Sequence, residues 1–138
     1  MTESLTLDRA ATQARAIVLG LGVVYLLLAI GGFIRTGWGE FGLEEPVRLL
    51  GILGVSTLLN FVHTFAGLVA VVAALRGAPS AFAAPATIAF TAMAVFGAVA
   101  RIFGGTGDPT NMTWGNVVLY VLSAAVCVFV YTLRMRAR

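Results

Sequence analysis

Apolar positions gather into four long segments, and polar and breaker residues gather between them. The segments cover about residues 16–34, 49–75, 82–103 and 112–133. Each is close to or above the roughly 20 residues that cross a hydrocarbon layer as a helix. The pattern predicts an all-α protein, an integral membrane four-helix bundle in one domain, 1–138. The second segment is the longest, 27 residues without a charged side chain, so it is expected to tilt or to run beyond the bilayer. The connections 35–48, 76–81 and 104–111 hold the breakers: Gly37, Gly39, Gly42 and Pro46, then Gly77 and Pro79, then Gly104, Gly105, Gly107 and Pro109. Pro85 falls early in the third helix, where proline is tolerated. No small-residue cleavage site follows the first segment, which reads as an uncleaved helix.

Polar residues interrupt the second segment in a pattern. Ser56, Thr57, Asn60, His63, Thr64 and Gly67 recur at three- and four-residue spacing, which places them on one helical face. Leu58, Leu59, Phe61, Val62, Phe65 and Leu68 lie largely on the other. Hydrocarbon penalises unsatisfied polar groups, so the polar face is expected to meet neighbouring helices. Val62 is the centre of the run, which puts His63 near the midplane. A rise of about 1.5 Å per residue places Tyr25, Thr91, Tyr120 and Ser123 at a similar depth. Small residues at Gly20, Gly22, Gly31, Gly32, Gly51, Gly54, Ala94 and Ala98 predict close helix contact.

Composition supports the same class. Apolar residues make up 59% and charged residues 11%, against about 25% charged in a soluble domain. All nine basic residues are arginine, and the net charge of +3 does not suggest nucleic acid. Their placement is informative. Arg9, Arg15, Arg76, Arg134, Arg136 and Arg138 fall on one side of the four spans, and Arg35, Arg48 and Arg101 on the other. The excess predicts both termini in the cytoplasm. Trp38 and Trp114 are then expected at the outer boundary, where indole rings favour the headgroup region. Arg101 is expected to snorkel there or to pair with Glu44, Glu45 or Asp108. The segment 35–48 reads as an interfacial loop or short surface helix, with a lid over a cavity as the sharper alternative. Membrane lipids, other integral subunits and self-association are the expected partners.

Reactive groups are few. The one cysteine, Cys127, allows no intramolecular disulfide and no CxxC motif, and reads as a small buried side chain. A single histidine without an intramembrane acid makes a weak metal site. Haem needs only one or two axial ligands, so haem bound through His63 stays an alternative. No serine–histidine–acid geometry has support, and Gly104–Gly107 lacks the lysine of a phosphate loop. Asn60, His63, Tyr25, Thr64 and Ser123 are therefore expected to form a polar layer. It serves as a structural lock, as a pocket for a small hydrophobic ligand or lipid, or as a redox or quinone-linked site. No metal and no resident cofactor are expected.

Two stretches carry a resemblance. Gly22-Val23-Val24-Tyr25-Leu26 continues to Gly31 and Phe33. Leu50-Gly51-Ile52-Leu53-Gly54 leads to Asn60-Phe61-Val62-His63 and Gly67. Together they resemble an uncharacterised bacterial family of small four-helix membrane proteins, a domain of unknown function with broadly DoxX-like architecture. The resemblance implies four helices, a multi-pass location in a bacterial plasma membrane and no established activity. It also implies two degenerate helix-pair repeats. The comparable stretch of the second half, Asn116-Val117-Val118-Leu119, lacks the histidine. The expected role is non-enzymatic: an accessory or scaffold subunit of a larger membrane complex.

Overall fold

The computed structural model describes residues 2–39, 47–104 and 108–136. Four helices form the bundle: α1 (Thr2–Thr36), α2 (Thr57–Leu75), α3 (Pro79–Phe103) and α4 (Trp114–Arg136). All four are long and apolar enough to cross a membrane. Helices α1 and α2 pack closely along their length, as do α3 and α4, while α2 and α3, though consecutive in the chain, pack only loosely.

Helix α1 starts well before the apolar segment that predicted it. Nothing in residues 2–15 breaks a helix, and Leu, Arg, Gln, Glu and Ala there all favour one. Its 35 residues span about 52 Å, more than the roughly 30 Å hydrocarbon layer. The extension is anchored: Ala14 and Val18 are buried, and Arg15 donates to the Leu75 carbonyl at 3.3 Å. That contact sets a cation on the last turn of α2, where free carbonyls carry partial negative charge.

The second apolar segment is not one helix, which corrects the 49–75 boundary. Residues 47–56 form a small hairpin of β1 (Arg48–Leu49) and β2 (Leu53–Gly54), paired Arg48 with Gly54 and Leu49 with Leu53. The Val55 N–H continues the pairing to the Val47 carbonyl at 3.0 Å. Leu50 and Gly51 turn the chain with φ of 53° and 76°. An apolar run cannot by itself tell a helix from a short strand. Here Gly51 supplies the left-handed turn, and Ser56 then caps α2, its hydroxyl accepting the Leu59 N–H at 3.1 Å.

The hairpin is held by the opposite half of the chain. Asn116 Oδ1 accepts the Gly54 N–H at 2.8 Å, and Asn116 Nδ2 donates to the Gly54 carbonyl at 3.1 Å. The same oxygen accepts the Thr113 N–H at 2.9 Å, which closes the start of α4. Thr113 Oγ1 donates to the Ile52 carbonyl at 2.6 Å, and Asn111 Nδ2 to the Val55 carbonyl at 3.3 Å. A Cβ at Gly54 would overlap the Asn111 carbonyl oxygen.

The α1–α2 seam rests on glycine. A Cβ at Gly67 would stand 2.7 Å from Leu26 Cγ and 2.9 Å from the Gly22 carbonyl, so the two backbones meet nearly directly. Gly20, named with Gly22 in the sequence, faces open space.

Candidate functional site

The face of α2 predicted to turn inward does so. Thr57, Asn60, His63 and Gly67 are buried, while Leu58, Phe61, Phe65 and Leu68 are exposed. Leu59, assigned to the outward side, is fully buried. Helix α2 touches α1 on one flank and the α3–α4 pair on the other, so its buried arc is wider than the polar stripe.

Each helix sends a side chain into one layer. His63 Nε2 and the Tyr120 hydroxyl are 2.8 Å apart, and the Tyr25 and Ser123 hydroxyls are also 2.8 Å apart. Ser123 donates onward to the Leu119 carbonyl at 2.8 Å. The rings pack among themselves. Tyr25 stacks on Phe90 with centroids 5.1 Å apart and meets the edge of His63 at 5.4 Å. Tyr120 stacks on Phe90 at 6.1 Å. Tyr25, His63, Phe90, Tyr120 and Ser123 are all buried. Aromatic contacts of this kind add about 0.5–1.5 kcal/mol beyond area, and interhelical hydrogen bonds in membranes about 0.6 kcal/mol on average. The layer thus ties all four helices.

Other expected members lie elsewhere. Because α2 begins at Thr57, Asn60 is in its first turns and not at mid-depth. Its Nδ2 donates to Thr36 Oγ1 at 3.0 Å, at the end of α1. Thr64 bonds back to the Asn60 carbonyl at 2.8 Å and joins no other helix. Thr91 is exposed and bonds back to Thr87 at 2.7 Å. Its neighbour Phe90 is the residue of α3 that enters the layer. An apolar ring within an apolar segment carries no sequence signal for such a role. Cys127 is buried and free, as expected.

Charged groups lie at the hairpin end. Arg101 is exposed in the last turn of α3. Glu44 and Glu45 lie outside the described residues. The Asp108 carboxylate serves its own loop, accepting the Thr110 N–H at 2.9 Å and the Met112 N–H at 3.2 Å. Trp38 and Trp114 are exposed at this same end, and Trp38 stacks on Phe33 at 4.8 Å.

Beside the layer, α2 and α3 part to leave a cleft of about 200 Å³. Phe65 and Val69 form one wall, Phe82, Pro85 and Met93 the other, and Phe90 and Tyr120 the floor. Pro85, which lacks an N–H for the helical ladder, lies within α3 where it lines this cleft. Among the described residues no group of three or more His, Cys, Asp or Glu side chains is placed to hold a metal ion. An axial bond from a haem iron to His63 Nε2 would have to displace Tyr120.

Four long apolar helices around an aromatic and polar layer define a multi-pass membrane bundle. Residues 13–133 match the model of the DUF4383 family, a domain of unknown function, and the chain belongs to that family. No curated protein and no solved structure matches the chain.

Proposed function

We propose that this chain is a non-enzymatic membrane protein that holds one apolar molecule, such as a lipid hydrocarbon chain, in the cleft between α2 and α3. The cleft carries this reading. Its lining is almost wholly hydrocarbon, and it opens between two consecutive helices that pack only loosely. Its floor is Tyr120 and Phe90, which the layer holds fixed. Pockets for small molecules are typically concave, apolar and pre-formed. In this reading the layer is the lock, and the bond from Tyr120 to His63 keeps the floor in place.

The accessory-subunit role is a second reading, favoured by one feature. Thr91, Ala94, Ala98 and Ala124 line a shallow outward groove between α3 and α4. Small residues of this kind let a neighbouring helix approach. The arginine distribution supports both termini in the cytoplasm of a bacterial plasma membrane. The close α1–α2 and α3–α4 pairs are compatible with a degenerate helix-pair repeat and with the DoxX-like likeness.

Native mass spectrometry of protein released from lipid nanodiscs tests the cleft. One retained apolar molecule per chain is expected. Ala89 lies at the exposed mouth, and Ala89→Phe should abolish retention while leaving the fold intact. Absence of any retained molecule in the wild type, or equal retention in the plugged variant, rejects the reading. An absorption spectrum of the same sample decides the haem alternative.

A further inference from the structure

Two buried polar atoms are left over by the hydrogen bonds of this region: Asn60 Oδ1 and His63 Nδ1. Proton counting shows that they complement each other. His63 Nε2 and the Tyr120 hydroxyl share one bond of 2.8 Å. If Nε2 donated, the phenol hydrogen would need a further acceptor, and among the described residues Tyr120 has none. With Tyr120 donating to Nε2, one bond satisfies both groups. A neutral imidazole then carries its hydrogen on Nδ1. His63 Nδ1 is therefore a buried donor without an acceptor. Asn60 Oδ1 is a buried acceptor without a donor.

Their placement also fits. Asn60 Nδ2 is directed at Thr36, towards the end of the bundle. The amide oxygen is turned the other way, against Gly32, where a Cβ would overlap it. Gly32 is one turn deeper along α1, and His63 is the next residue deeper on the same face of α2. Side chains at this spacing have Cβ atoms about 5–6 Å apart. One water bridges polar atoms up to about 5.6 Å apart, a gap that side chains neighbouring on one helical face can meet.

We propose that one water molecule binds between Asn60 Oδ1 and His63 Nδ1, accepting the Nδ1 hydrogen and donating to the amide oxygen. Buried waters typically serve otherwise unsatisfied polar groups in this way, with two to four partners. The water joins Thr36, Asn60, His63 and Tyr120 into one polar file, running from the hairpin end of the bundle to its middle. The site is separate from the α2–α3 cleft and stands whether or not that cleft holds a ligand.

Histidine occurs once in the sequence, so protein labelled with ¹⁵N-histidine reports this ring alone. Magnetic resonance in lipid nanodiscs should show the hydrogen on Nδ1, Nε2 bare, and a cross-peak between the Nδ1 hydrogen and water. Asn60→Leu should abolish the cross-peak, while Tyr120, still donating to Nε2, keeps the hydrogen on Nδ1. Tyr120→Phe, which retains the ring, should keep both the cross-peak and the hydrogen on Nδ1. A hydrogen on Nε2 in the wild type or in Tyr120→Phe overturns the proposal. So does a wild-type Nδ1 hydrogen without a water cross-peak, or a cross-peak that survives Asn60→Leu. Should Asn60→Leu fail to fold, the wild type and Tyr120→Phe decide between these outcomes.

Discussion

Asn116 grips both sides of Gly54, with N–H to Oδ1 at 2.8 Å and Nδ2 to carbonyl oxygen at 3.1 Å. The amide side chain does for β2 what a neighbouring strand does in a sheet. Asn116→Ala would leave the Gly54 carbonyl and the Thr113 N–H without partners, and the Gly54 N–H with only its longer bond to Thr113 Oγ1 at 3.2 Å. Each unmet group costs about 1–3 kcal/mol. We expect a loss on the order of 3 kcal/mol in detergent unfolding titrations. A loss below about 1 kcal/mol would show that the hairpin is held by something else.

The bond between His63 and Tyr120 predicts a non-additive pair. Tyr120→Phe leaves a buried ring nitrogen unpaired, and His63→Leu leaves a buried hydroxyl unpaired. Each single change should cost about 1–3 kcal/mol, while removing both partners together can be nearly neutral. The double variant should therefore melt well above the temperature that the two single losses add up to. Additive losses in a thermal scan of the solubilised bundle would mean the two residues act separately.

Gly67 and Gly20 should behave in opposite ways. Gly67→Ala drives a methyl group into Leu26 and the Gly22 carbonyl, with an overpacking cost of about 1–3 kcal/mol. Gly20→Ala meets open space and should be neutral or slightly stabilising, since alanine is the better helix former. Equal effects of the two in the same unfolding assay would contradict the close α1–α2 seam.

Sidedness is open to cysteine labelling. Cys127 is buried, so Cys127→Ala provides a background in which single cysteines report topology. Replacement of Thr2 should resist an impermeant reagent in intact cells, and replacement of the exposed Trp38 should react. Reaction at position 2 would reverse the orientation drawn from the arginines.

The inward face of α2 was legible because three- and four-residue spacing survives as geometry. Asn60, His63 and Gly67 needed only a helix wheel. Depth was less legible, because it was measured from the middle of residues 49–75, and eight of those residues precede the helix at Thr57. Hydropathy saw Leu49–Val55 as span, although Gly51 and Gly54 break it into a hairpin. Thr91 has the expected depth, yet one residue along a helix is about 100° of rotation, and Phe90 faces inward instead. In the sequence Asn116 reads only as the second-half counterpart of Asn60. Its actual partner is a peptide group 62 residues away in sequence, and no local pattern announces such a pairing.

That separation gives the hairpin a history. Gly54 is synthesised first and must wait for Asn116, which follows 62 residues later. At ordinary rates of synthesis the delay is roughly 3 to 12 s. Through that interval the first two helices exist with the hairpin's polar backbone still unclasped. The fourth helix is therefore the piece whose arrival completes the first half. A nascent chain halted before residue 116 would present an exposed edge to whatever surveys unfinished membrane proteins.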